Sequence, residues 1–240
     1  MSQAYPVVLG LGCLAGLGWL ARRRGVSSAA QVDAFPAGVL ALALGLAGAR
    51  LGFAVVHAPY FLDHPFELLW VWEGGLSWVG AAAGGLAAVG LASRLRRDAA
   101  GRLADALALP ALIVALAAWT GCFLEGCVYG MSVSAGPLSP PAPDLFGVVA
   151  PRWPTAAVGM TSSGLLLSAF ILLEARPLPT GSRAALALGG SALIALVLSL
   201  TRADPVLLVS RYRIDTVAAA AVVFASVLFG LILRPPPPRR

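Results

Sequence analysis

Lysine is missing from this chain altogether: all seventeen basic residues are arginine. That absence removes the Lys-Ser/Thr ending that a nucleotide phosphate loop needs, and neither glycine-rich stretch, "GLAGARLG" (45–52) or "GGLSWVGAAAGG" (74–85), follows a strand pattern. Codon bias accounts for an all-arginine set, although arginine also pairs with phosphate better than lysine does. Charge of any sign is scarce. Only 12% of residues are charged and 59% are hydrophobic, with a mean hydropathy of +0.85. A soluble domain of this size does not have that composition. No soluble surface gathers the arginines, so a nucleic-acid partner is excluded despite the net charge of +6. Three cysteines and two histidines form no CxxC or histidine cluster, so no metal and no cofactor is expected. Cys13, Cys122 and Cys127 read as small buried apolar residues. Cys122 and Cys127 are five residues apart, so on a helix they point to different faces and are expected to stay unbridged. A cleavage site is lacking after residues 5–21, which end at Arg22, Arg23 and Arg24, so this stretch is read as a span. No internal repeat suggests a transporter built from inverted halves.

What the chain has is apolar length. Seven stretches of roughly 18 residues or more can cross a hydrocarbon core about 30 Å thick. They fall at about 5–21, 35–57, 76–95, 103–124, 157–174, 184–200 and 214–233. The expected fold is an all-α polytopic membrane protein with seven transmembrane helices, a single membrane domain over 1–240. Arg22 to Arg24, then Arg94, Arg96, Arg97 and Arg102, then Arg176 and Arg183, then Arg234, Arg239 and Arg240 all fall on one side. The positive-inside rule puts that side in the cytoplasm, with the N-terminus outside and residues 234–240 as a cytoplasmic tail. Arg202, Arg211 and Arg213 sit on the outer side as an exception, either a local violation or an anion site. Residues 131–155 are rich in proline and are expected to form an outer loop or small cap.

Four ionisable residues lie within or at the edge of spans: Arg50, Asp105, Glu125 and Arg202. An intramembrane charge is a functional-site candidate because an unpaired one is costly. Arg50 falls about seven residues, roughly 10 Å, below the outer surface. Glu125 and Arg202 end their spans at the same outer level, while Asp105 lies at the inner end. One reading is a structural ion pair of Arg50 with Glu125, with Arg202 snorkelling to the interface. The other is a site for an anionic headgroup, with two guanidinium forks on a phosphate and Glu125 orienting them or taking a proton. Gly48 with Gly52, and Gly80 with Gly84, have the small-xxx-small spacing that lets membrane helices approach closely. His57 and His64 flank the outer stretch "HAPYFLDHP" and read as solvated interfacial residues.

Four stretches in order resemble the prolipoprotein diacylglyceryl transferases of bacterial inner membranes. They are "GLAGARLGFAVVHAPYFLDHPFELLWVWEGGLSW", "RLADALALPALIVALAAWTGCFLEGCVYG", "LFGVVAPRWPT" and "TRAD". The resemblance covers nearly the whole chain, and seven spans with an outer N-terminus is that family's layout. It implies transfer of diacylglycerol from phosphatidylglycerol to the thiol of a lipobox cysteine in prolipoprotein signal peptides, releasing glycerol phosphate. It implies a multi-pass protein of the bacterial plasma membrane. Arg50 matches the family's "G-R-LG" arginine, and Asp105 the aspartate before the signature. Gly121 and Gly130 match the signature glycines, and Arg202 the "FR" arginine.

Three positions depart from the family. Its histidine two residues after the "GG-S" serine falls at Val79, its arginine before the signature glycine at Trp119, and its polar run after "R-P-[ST]" at Ala156 and Ala157. The histidine is a proposed base and the arginine a proposed phosphate contact, and neither valine nor tryptophan replaces them chemically. Either the site is rearranged, or the chain is a non-catalytic relative that binds phosphatidylglycerol. Glu125 is the best replacement base, followed by His57 or His64.

Overall fold

The computed structural model describes residues 4–24, 33–97, 99–144 and 146–232. The expected tail at 234–240 lies outside the described residues. Seven helices are long and apolar enough to cross a membrane: α1 (Ala4–Arg24), α2 (Phe35–Val56), α4 (Trp78–Arg96), α5 (Ala100–Glu125), α6 (Thr155–Leu173), α7 (Ser182–Ser199) and α8 (Ile214–Ile232). Each coincides with an expected span to within a few residues. The chain is an all-α, multi-pass membrane protein. Between α2 and α4 a short helix, α3 (Ala58–Asp63), is followed by 3₁₀ turns at Pro65–Leu69 and Val71–Glu73. Two small antiparallel hairpins complete the architecture: β1 (Pro141–Pro143) with β2 (Val149–Pro151), and β3 (Leu208–Val209) with β4 (Tyr212–Arg213).

Local chemistry sets the helix ends. The α4 helix starts where Ser77 Oγ accepts the Gly80 amide at 3.3 Å, an N-cap that satisfies a donor with no intrahelical partner. The α5 helix stops at Gly126, whose φ of 74° is left-handed and suits glycine. Small residues set the packing. A Cβ on Gly48 or Gly80 would run into the backbone of the opposing helix, so α2 and α4 meet backbone to backbone. The other close partners are α1 with α5, α5 with α6 and α7, and α7 with α8.

The apolar core is concentrated at one end of the bundle. Leu20, Ala37, Val89, Ala92 and Leu103 form one buried cluster, and Ala108, Leu109, Leu112, Phe170 and Ala187 another. Both centre on the first half of α5, near Asp105. The opposite end, marked by Gly130, buries polar groups instead: Arg50, Ser139, Arg152, Thr155 and Ser199. Buried polar groups must be satisfied by protein or ligand, so that end is where a site can be built.

Candidate functional site

Arg50, in the next-to-last turn of α2, is 7% exposed. Its Nε donates to the Leu68 carbonyl at 3.0 Å, and Nη1 to those of Gly74 at 2.7 Å and Gly75 at 3.3 Å. Nη2 donates to the Glu67 carbonyl, and the guanidinium lies 5.2 Å from the Phe61 ring centroid. Gly74 and Gly75 hold φ of 89° and 66°, left-handed values that turn their carbonyls onto the guanidinium. The loop therefore wraps Arg50, using four of its five N–H donors. Among the described residues no carboxylate pairs with it. The Arg50–Glu125 ion pair of the first reading does not form, since Glu125 binds the Tyr5 amide instead.

The signature segment 129–133 leaves α5 and runs as the middle strand of a small array. Gly130 bridges antiparallel to Arg202, and Ser132 to Arg152. The Met131 amide donates to the Thr201 carbonyl at 2.9 Å, and the Trp153 amide to the Met131 carbonyl at 3.0 Å. A Cβ on Gly130 would collide with the Trp153 carbonyl and lie 2.7 Å from Thr155 Oγ1, so only glycine fits there. On one flank, Arg152 anchors residues 131–155. It pairs with Asp144 at 2.9 Å, donates to the Ala142 carbonyl at 3.1 Å and lies 5.1 Å from the Tyr129 ring centroid.

On the other flank Arg202 does not snorkel and does not offer a free fork. Its Nε and Nη2 bind both oxygens of Asp204 at 2.8 and 2.6 Å, and Nη1 pairs with Asp215 at 2.9 Å. Arg213 joins the same two carboxylates at 3.1 and 3.2 Å. Burial alone would depress the Arg202 pKa. The hydrogen bond and charge of Asp204, with Asp215 behind them, more than offset this and hold the guanidinium above its ordinary value. Asp204 and Asp215 balance the charges of Arg202 and Arg213, so these two arginines of the expected outer group offer no free anion site. Asp204 and Asp215 were the residues that sequence reasoning missed. The R-x-D pattern repeated in "TRAD" and "YRID" was the available signal.

Both α5 carboxylates cap other helices. Asp105 accepts the amides of Gly181 at 2.6 Å and Ala184 at 2.9 Å, closing the N-terminus of α7. It stands twenty residues, about 30 Å along the helix, from Glu125, and so shares no site with it. Glu125 Oε2 accepts the Tyr5 amide at 2.8 Å, closing the N-terminus of α1. Glu125 is exposed. Gly121, one turn earlier, lets Tyr5 approach: a Cβ there would lie 3.0 Å from the Tyr5 ring.

The departures from the family pattern are filled by packing. Val79 is half-buried in the first turn of α4. The Trp119 indole lies against the bare backbone of Gly159, where a Cβ would clash with it. His57 and His64 are exposed, stack on Phe53 and Tyr60 at centroid distances of 4.1 and 4.7 Å, and place Nδ1 3.0 and 3.2 Å from the carbonyls of those residues. Cys122 and Cys127 form a disulfide with Cα atoms 5.0 Å apart, against expectation. The helix ends at Glu125 and Gly126 turns the chain back, so helical geometry no longer separates the two thiols. Among the described residues, no three His, Cys, Asp or Glu side chains gather as a metal site would need.

The Gly130 end thus combines one buried guanidinium that meets no carboxylate among the described residues, one exposed carboxylate and a strand array between two ion-pair groups. A model of the prolipoprotein diacylglyceryl transferase family matches residues 2–232. The phosphatidylglycerol–prolipoprotein diacylglyceryl transferase of Symbiobacterium thermophilum is 36% identical over 160 residues, 65% of this chain and 54% of that relative. Its counterpart in Cupriavidus necator is 35% identical over 150 residues, 60% of this chain and 52% of the relative. That of Thermus thermophilus is 42% identical over 82 residues, 34% of this chain and 29% of the relative. At 54% and 52%, this chain spans about half the length of the first two relatives.

Proposed function

Since the chain belongs to the prolipoprotein diacylglyceryl transferase family, we propose that it transfers the diacylglyceryl group of phosphatidylglycerol to the lipobox cysteine thiol of prolipoproteins. The observation that carries the reading is Arg50, a buried guanidinium at the Gly130 end that meets only backbone carbonyls and no carboxylate among the described residues. An anion there gains a charge-assisted contact in a low-dielectric setting.

In the reaction the acceptor sulfur bonds to the glyceryl carbon as the bond from that carbon to the phosphate oxygen breaks, and glycerol phosphate departs. Charge builds on the departing phosphate, where the Arg50 field and its remaining Nη2 donor stabilise it. The thiol proton goes to Glu125, whose Oε1 makes no hydrogen bond among the described residues. Gly121 and Gly130 act by letting Tyr5 and Trp153 approach the signature, and the Arg202 network by holding the strand. Asp105 acts at a distance, through α7.

The orientation proposed is an outer N-terminus and a cytoplasmic C-terminus in the bacterial plasma membrane. The arginine distribution supports it. The Cys122–Cys127 disulfide supports it independently, because disulfides persist in oxidising, extracytoplasmic compartments. The test is complementation of a bacterium depleted of its own transferase, with thioether formation on a lipobox peptide measured in phosphatidylglycerol vesicles. Growth and thioether formation are expected. Lipid binding without thioether would show a binding protein in place of an enzyme.

A further inference from the structure

We propose that the Cys122–Cys127 disulfide is a thiol-exchange site whose reaction partner is a dithiol reaching it from the Gly130 end. This rests on the placement of the pair and not on the transferase reading. The cross-link closes a turn that the backbone already holds. The amides of Gly126 and Cys127 donate to the Cys122 carbonyl at 2.9 and 3.3 Å. A disulfide stabilises chiefly by removing the entropy of an open loop, an effect that grows with loop length. With a sequence separation of 5, and with that turn already hydrogen-bonded, it adds little to the fold. Cys127 is exposed beyond the end of α5, while Cys122 is half-buried in its last turn. Exposed disulfides are the labile and reactive class.

The surroundings decide which sulfur is attacked and by what. An incoming thiolate reaches Cys127 Sγ, so Cys122 is the leaving group. The hydrogen-bonded turn keeps Cys122 beside Cys127 after the first exchange, so it readily expels a monothiol from the mixed disulfide. A dithiol escapes this reversal because its second sulfur completes the exchange. The first thiolate bonds to Cys127 Sγ as the Cys122–Cys127 bond breaks, and its electron pair goes to Cys122 Sγ, which takes a proton from water. The second thiolate then bonds to the first sulfur and releases Cys127, which is likewise protonated. Two electrons and two protons have passed to the protein, and the dithiol departs as a cyclic disulfide. Reduction removes the covalent tie between α5 and the strand that carries Gly130, while the strand keeps its hydrogen bonds.

The experiment uses the folded full-length protein, purified without reductant in detergent micelles. It is exposed to dithiothreitol or to 2-mercaptoethanol at equal thiol concentration, then alkylated and weighed intact. Cys13, the free cysteine of α1, serves as internal marker. Dithiothreitol is expected to expose two further thiols with the thermal unfolding curve retained, and the monothiol to expose them about tenfold more slowly. In Cys122→Ser, the remaining Cys127 should form a mixed disulfide with oxidised glutathione about tenfold faster than Cys122 does in Cys127→Ser. Thiols that appear only when the protein unfolds, or equally fast with either reductant, would overturn the proposal. So would two free thiols before any reduction. The wild-type arms decide the matter even where a serine variant does not accumulate.

Discussion

Arg50 serves a loop and a charge at once, since one buried guanidinium gathers four loop carbonyls. Arg50→Lys keeps the charge but cannot reach the carbonyls of Glu67, Leu68, Gly74 and Gly75 together. Arg50→Gln loses both and should weaken phosphatidylglycerol binding by about tenfold, as measured by vesicle co-flotation. The lysine variant should retain binding while the 64–75 loop becomes open to protease. Equal binding by wild type and Arg50→Gln would remove Arg50 from the lipid site. Glu125 allows a cleaner separation. The amide oxygen of Glu125→Gln still accepts the Tyr5 amide but takes no proton, so transfer should vanish while the thermal midpoint moves by only about 2 °C. Unchanged transfer would move the base to His57 or His64. The charge at Arg50 was legible in the sequence because arginine inside an apolar run has to be answered somewhere. Its partners were not legible, because they are backbone carbonyls of a loop and no side-chain pattern marks them.

Among the elements, the seven spans were legible because apolar length is a property of composition, and the observed ends differ from the expected ones by at most three residues. The cysteine pair was misjudged by extending helical geometry two residues past its end, to Cys127, where Gly126 had already turned the chain. The α2–α4 contact was foreshadowed by the small-xxx-small spacings of Gly48 with Gly52 and of Gly80 with Gly84, and it offers a direct test. Gly80→Val drives a branched side chain into the Gly48 backbone and should destabilise the protein by about 3 kcal/mol, read as a lowered thermal midpoint in detergent. Tolerance of valine would mean that the helices do not meet there. The β1–β2 hairpin responds to acid instead. The Val148 amide lowers the Asp144 pKa below its ordinary 3.8; burial opposes this, and the Phe146 amide and Arg152 add to it. A depressed carboxylate pKa contributes stability that is complete above 3.8 and lost as pH falls through the lowered value. Protease sensitivity of residues 140–152 should thus stay flat down to that range and rise below it. Asp144→Asn should show the same sensitivity already at neutral pH.

For the whole molecule, an apolar core near Asp105 is segregated from buried polar groups near Gly130; under the proposed function the first end holds the bundle and the second meets headgroup and acceptor. Reporter fusions test which end faces the cytoplasm. Cytoplasmic reporters should be active after Arg97 and Arg183, and exported ones after Asp63, Asp144 and Arg211. An inverted pair would refute the orientation. The two capping carboxylates of α5 also bear on how the protein is born. The first helix enters the membrane with the Tyr5 amide unanswered, and the carboxylate that answers it lies 120 residues further along the chain. Assembly of α1 therefore waits for α5 to be synthesised, whereas α7 emerges to find Asp105 already in place. Translation arrested before Glu125 would leave the first helix competent to insert but without its lock, so biogenesis of this protein has a commitment point at the end of its fourth span.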